Sequence, residues 1–250
     1  MTSSVLRMQH TSLQFSDSPA QQAHDVEQLF KKGKLFPIKT GTEASNSNAL
    51  FKLLREAAGD YKHVIHNVRG NFIAVDRAII KPGTVKRGEV FVISNDHLVG
   101  KMHDRVMATL AFTHVDPRIG RVNQSAAHFA TKGAKKGQPN YKANVLYSHK
   151  IEEWMKKVGR GSALAFNNGD YNMNDRELDW ANGGNFTSMA DELKAWQNTG
   201  HGPIDGFCSY DKDGRVKAKS FKVLDDSELK LFTDHYACRG VWSIRHLKVK

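Results

Sequence analysis

The sequence is poor in cysteine, has no long apolar run and is short of acid, and each scarcity removes a class of protein. Two cysteines in 250 residues, Cys208 and Cys238, make no disulfide framework and fit a reducing compartment, with a single bridge between them left open. No apolar run approaches a membrane span, and the opening MTSSVLRMQHTSLQF lacks the apolar core of a secretory signal. The expectation is a soluble, cytoplasmic protein that stays where it is made, with a bacterial or phage origin suiting the composition. No repeat, low-complexity tract or Pro/Ser-rich linker divides the chain, so residues 1–250 are read as one domain. An apolar content of 40% is enough for a substantial core.

The shortage of acid sets the charge. Against 37 Lys and Arg stand 26 Asp and Glu, which leaves +11, and the sequence pI is near 9.6. Basic residues recur along the chain, at Lys31-Lys32, Lys86-Arg87, Lys135-Lys136, Lys156-Lys157 and Arg245 to Lys250. Such a balance favours a polyanionic partner, nucleic acid first, through counterion release and electrostatic steering. A solvated surface with general anion affinity explains the same numbers.

Strand-like and helix-like segments mix throughout. Val5 to Phe15 reads as an opening strand, His24 to Phe30 as a short helix, and Phe36 to Glu43 as a strand ending at a carboxylate. A helix is expected over 48–59, closed by Gly59. Three β-branched, apolar runs follow at 71–80, 89–93 and 105–113. From 143 to 158, Tyr147, Ile151, Trp154, Met155 and Val158 recur at the helical period, which predicts a helix packed on a sheet. Ser162 to Phe166 is the strand after it. A further helix opens near Ser188 with Met189, Leu193 and Trp196 on one face, and strands run from Ile204 to Cys208 and from Tyr236 to Val249, with a Lys-rich stretch between them. Residues 118–142 read as a long basic connection. The mixture points to a layered α/β domain.

Several polar residues stand where these strands end. They are Glu43 after PIKTGT, His114 after VMATLAFT, Asp170 and Asn172 after SALAFNN, Asp205 in PIDGF, and Asp234-His235 in LFTDHY. Each alone is a cap, a turn or an ordinary histidine. Together they suit one cleft, because loops at one edge of a layered sheet converge. His63, His66, His97, His103, His128, His149 and His201 are read as surface or core histidines and carry no role.

The order TGTEA, FTHVDP, GDYN, PIDGF and TDHY, over residues 36 to 245, resembles the endonuclease/exonuclease/phosphatase superfamily. The resemblance implies a four-layered α-β-β-α sandwich of two mostly antiparallel sheets packed face to face, with helices outside. It implies a metal-dependent phosphodiester hydrolase of a family that cleaves DNA, RNA, phosphoinositides and sphingomyelin with nearly the same cleft; the net charge favours a nuclease on DNA, expected to be a monomer. On these positions Glu43 and Asp234 would hold Mg2+ or Mn2+, since hard cations prefer carboxylate oxygen. Asp170 would activate the attacking water and Asn172 steady the transition-state oxygen. His235, oriented by Asp205, would bind phosphate as imidazolium, and His114 would be a second phosphate contact or proton donor. Where abasic-site repair enzymes of this family carry Tyr, His114 argues against that repair role. The Asn that the family places at the end of the first strand is missing; Gln9, His10 and Thr11 stand there, with Thr11 the nearest candidate. Alternatives are a phosphatase on a small or lipid phosphate, and a DNA-binding protein of the same fold with weakened chemistry.

Overall fold

The computed structural model describes residues 3–13, 18–32, 35–44, 52, 55–56, 62–99, 104–131, 135–173, 186–195, 197, 199 and 205–246. Among the described residues, twelve strands form two six-stranded sheets. In the first, the order is β11 (Val216–Leu224), β12 (Ala237–Arg245), β1 (Ser3–Ser12), β2 (Ile38–Thr42), β4 (Asn71–Asp76), β3 (His63–Val68). In the second it is β5 (Lys86–Ile93), β6 (Arg105–Thr113), β7 (Arg121–His128), β8 (Leu164–Asp170), β10 (Asp205–Asp211), β9 (Phe186–Ser188). All neighbours run antiparallel except the pairs β1–β2 and β7–β8, which are parallel.

Three apolar clusters stack the layers. Leu6, Met8, Ile38 and Trp242 of the first sheet meet Leu110, Phe112, Phe166 and Phe207 of the second. Each such side chain contributes about 1.5–3 kcal/mol on burial. On the outer face of the first sheet, Val26, Leu29 and Phe30 of α1 (Pro19–Lys32) pack on Phe72, Ala74 and Ala237. On the outer face of the second, Tyr147, Ile151 and Met155 of α2 (Tyr141–Val158), all fully buried, pack on Met107, Ala165 and Cys208. The result is the expected α-β-β-α sandwich with mostly antiparallel sheets. A short helix α3 (Met189–Leu193) begins at Ser188, whose Oγ accepts from Asp191 N at 3.4 Å, and ends at Lys194 in the left-handed region. Trp196 and most of the helix expected over 48–59 lie outside the described residues.

Local chemistry explains the shifted boundaries. The strand expected over 71–80 stops at Asp76, whose carboxylate accepts from Ala78 N at 2.8 Å and turns the chain into a 3-10 turn. The basic connection expected over 118–142 instead holds a central strand, β7. Its sequence RVNQSAAH lacks strand-like residues after Val122, yet seven of its eight residues are buried. Asn123 donates to Leu164 O, Ser125 Oγ donates to Phe166 O, and Asn167 donates to Ser125 Oγ, so neighbouring strands satisfy the buried polar groups. The Lys-rich stretch holds β11, an edge strand with Lys217, Lys219 and Lys222 exposed, which blunts edge-to-edge pairing. Strand β3 had no place in the sequence reading. Cys208 and Cys238 are free thiols in different core layers, one between α2 and its sheet and one between the sheets, so no bridge joins them. Among the described residues, no helix is long and apolar enough to cross a membrane.

Candidate functional site

The two parallel pairs bring the C-terminal ends of β1, β2, β7 and β8 to one edge of the sandwich. Their antiparallel neighbours β6, β10 and β12 begin at that edge. Register fixes the rest: β7 places His128 beside Asp170, and β10 places Asp205 on Asp170's other side. Opposite them His10 pairs with Cys238 and with Thr40. The space between the sheets therefore changes from Trp242 and Phe166 in its interior to carboxylates and imidazoles at this edge.

Asp170 follows Gly169, where a Cβ would come within 2.6 Å of Ala127 O and 2.7 Å of the Tyr171 ring. Only glycine lets β7 approach β8 here. Beyond Asp170 the chain turns sharply: Asn172 has φ 45°, its N donates to Asp170 Oδ1 at 3.0 Å, and its side-chain amide donates to Phe129 O at 3.1 Å. Asp170 is wholly buried, and its Oδ2 has no hydrogen-bond partner among the described residues. Burial and then the neighbouring Asp205 charge push its carboxyl well above the ordinary range.

Glu43 leaves β2 with φ 55°, a left-handed backbone that costs a non-glycine residue about 1–3 kcal/mol. Ser12 Oγ donates to Glu43 Oε2 at 2.9 Å. Burial raises the Glu43 carboxyl despite that bond. Ser12, not Thr11, is thus the residue of the first strand that meets this carboxylate; Thr11 Oγ1 donates instead to Ser12 O.

His235 is 2% exposed, and its Nδ1 lies 2.9 Å from Asp205 Oδ2. Burial disfavours the imidazolium, but the Asp205 charge and hydrogen bond outweigh it and lift His235 to about 10. In the same way burial would raise Asp205, yet His235 together with His10, at 3.6 Å from Asp205 Oδ1, holds that carboxyl below its ordinary range. His10 Nδ1 lies 2.9 Å from Thr40 Oγ1, which also accepts from Asn168 across the sheets at 3.0 Å. The Asp234-His235 loop is fixed from below. Buried Asp25 of α1 accepts from Phe232 N and Thr233 N, and Thr233 Oγ1 donates to Ser12 O. Asp234 Oδ1 lies 3.8 Å from His235 Nε2.

Glu43, Asp170, Asn172, Asp205, Asp234 and His235 therefore gather at one edge. His114 does not. It follows the far end of β6, pairs with Ile80, and its Nδ1 accepts from Asp116 N. In its stead His128, at the end of β7, brings Nε2 to 3.4 Å from Glu43 Oε1 and 3.8 Å from Asp170 Oδ2. Reading 118–142 as a connection hid His128, although the apolar pair Ala126-Ala127 before it was a faint strand-end signal. Away from the site, His114 says nothing for or against a repair role. His10, Ser12, Asp25 and Arg105 were missed because polar side chains in short strands and helices carry no periodic signature.

Among the described residues, two groups of side chains stand close enough to share a cation: Glu43, His128 and Asp170, and Asp170, Asp205 and His235, each with ligand atoms within 4.8 Å of one another. The second is held together by the His235 proton, which leaves that ring no lone pair for a metal. In the first, Glu43 and Asp170 are carboxyls pushed toward protonation by burial, one with an unpartnered oxygen, so a hard divalent ion held beside Glu43 would favour both as carboxylates.

No family model matches the sequence, and no curated protein matches it. Solved structures do match in shape. An endonuclease/exonuclease/phosphatase family protein from Bacteroides thetaiotaomicron, 16% identical, covers 98% of this chain and 99% of its own with TM-score 0.73. A mannosyl-6-phosphatase from the same species, 16% identical, covers 95% and 99% with TM-score 0.71. D. rerio TDP2 complexed with single-strand DNA product, 11% identical, covers 96% and 99% with TM-score 0.64. Over nearly its whole length, the chain has the endonuclease/exonuclease/phosphatase fold.

Proposed function

We propose that the protein is a divalent-metal-dependent phosphodiester hydrolase, and that its substrate is nucleic acid, DNA first. The observation that carries this reading is Asp170 Oδ2, a buried carboxylate oxygen without a partner, set between Glu43 on one side and the Asp205–His235 pair on the other. Glu43 and Asp234 would hold Mg2+ or Mn2+, which, when bound, polarises the phosphoryl group and stabilises the leaving oxygen. Asp170, raised by burial, takes the proton of the attacking water, and Asn172 faces the same phosphate. His235 stays charged near neutral pH and binds a non-bridging oxygen, with Asp205 and His10 fixing the ring behind it. His128 supplies the second phosphate contact expected of His114.

The net charge of +11 supports a polyanion. The likeness to a DNA-bound neighbour supports the same choice, while the likeness to a mannosyl-6-phosphatase favours a second reading, hydrolysis of a small phosphate monoester. Plasmid nicking and phosphate release from sugar phosphates, each in Mg2+ and in EDTA, separate them. The reading expects nicking that EDTA abolishes; monoester turnover without nicking selects the second, and neither activity refutes both.

A further inference from the structure

Arg105 opens β6 at the site edge, half-buried and close enough to feel both Glu43 and Asp170. Its Nη1 lies 3.2 Å from His128 Nδ1. A guanidinium offers five donors and no acceptor, so this contact is a hydrogen bond only when Nδ1 carries no proton. The ring proton then sits on Nε2, the nitrogen directed at Glu43 Oε1 and Asp170 Oδ2. Turning the ring over would set a C–H against the guanidinium and lose the bond.

We propose that Arg105 is a positioning residue that locks His128 as the Nε2–H tautomer, making His128 a hydrogen-bond donor to a phosphoryl oxygen and withdrawing it from any metal's ligand set. A non-bridging phosphoryl oxygen only accepts, so a donor at Nε2 is what the substrate needs there. A carboxylate in Arg105's place would do the reverse, drawing the proton to Nδ1 and leaving Nε2 a lone pair suited to a cation. With His128 committed as a donor, Glu43 and Asp234 are the carboxylates that would hold a divalent ion there. The tautomer follows from donor and acceptor chemistry alone; only the identity of the acceptor rests on the phosphodiesterase reading.

The test is the nitrogen spectrum of protein labelled with 15N-histidine at neutral pH, with His128 assigned by the signals lost in His128→Gln. The parent should show Nε2 protonated and Nδ1 as an unprotonated acceptor. Arg105→Met should weaken that preference to the mixture of tautomers that a free neutral histidine shows, and Arg105→Lys, which keeps a donor, should restore it in part. On DNA, Arg105→Met should lower kcat about ten- to a hundredfold, the scale for a residue that orients another, with KM little changed. A parent ring protonated on Nδ1, or ring signals unchanged in Arg105→Met, overturns the proposal. Should Arg105→Met fail to fold, the parent spectrum and Arg105→Lys still decide it. A parent without nuclease activity but with Nε2 protonated refutes the substrate reading and leaves the tautomer lock standing.

Discussion

At the end of the sandwich where β10 turns into β11, Arg215 is 3% exposed and its guanidinium makes four hydrogen bonds: Nε donates to Arg245 O, Nη1 to Ser162 O, and Nη2 to Arg118 O and Ile119 O. Asp211 beside it accepts from the backbone N–H groups of Asp213, Arg215 and Val216. At the other end of the same strands, Asp170, Asp205 and His128 are equally buried, yet Asp170 Oδ2, Asp205 Oδ1 and His128 Nε2 lack hydrogen bonds among the described residues. One end spends its polar groups on holding β7, β8, β11 and β12 together. The other leaves them for something the chain does not supply. Buried polarity is therefore no guide to function by itself; several unpartnered groups converging on one spot are the better guide.

Substitutions at the two ends should separate stability from chemistry. The largest effect belongs to Asp170→Asn, which should lower DNA cleavage about 10²–10⁴-fold, the range for a general base, while raising the urea midpoint because a crowded buried carboxyl is gone. Arg215→Met should do the opposite. Leaving four carbonyls without their donor should cost about 3 kcal/mol or more in urea unfolding, with the rate per folded molecule unchanged. Third, Mg2+ at a hundred times its dissociation constant should stabilise the parent by about 2.7 kcal/mol, and Glu43→Gln should lose most of that gain. A further effect is one of pH. His235 is raised from 6.5 to about 10, so the stability it gains from Asp205 is complete below pH 6.5 and lost as pH climbs through 10. Urea midpoints of the parent should fall more steeply across that window than those of His235→Gln.

The layers were legible because periodicity reports burial. Tyr147, Ile151 and Met155 mark α2, and the strand ends at Glu43, Asp170, Asp205 and Asp234-His235 come from segments with clear apolar runs. Central strand β7 was not legible, since Asn123, Gln124 and Ser125 are buried by bonds to neighbours that a linear reading cannot see. That one strand decided the histidine: with β7 taken for a connection, the chain's nearest strand-end histidine was His114, at the wrong end of β6. Ser12 and Arg105 act through partners far away in sequence, so only the assembled sandwich names them.

The most direct test compares cleavage of supercoiled plasmid in Mg2+ by the parent, Asp170→Asn and Arg215→Met, each scaled to its folded fraction. Cleavage should vanish in Asp170→Asn and in EDTA, and persist in Arg215→Met. Equal rates in all three proteins, or rates indifferent to EDTA, would contradict a metal-assisted hydrolase built on the unclosed end of the sandwich.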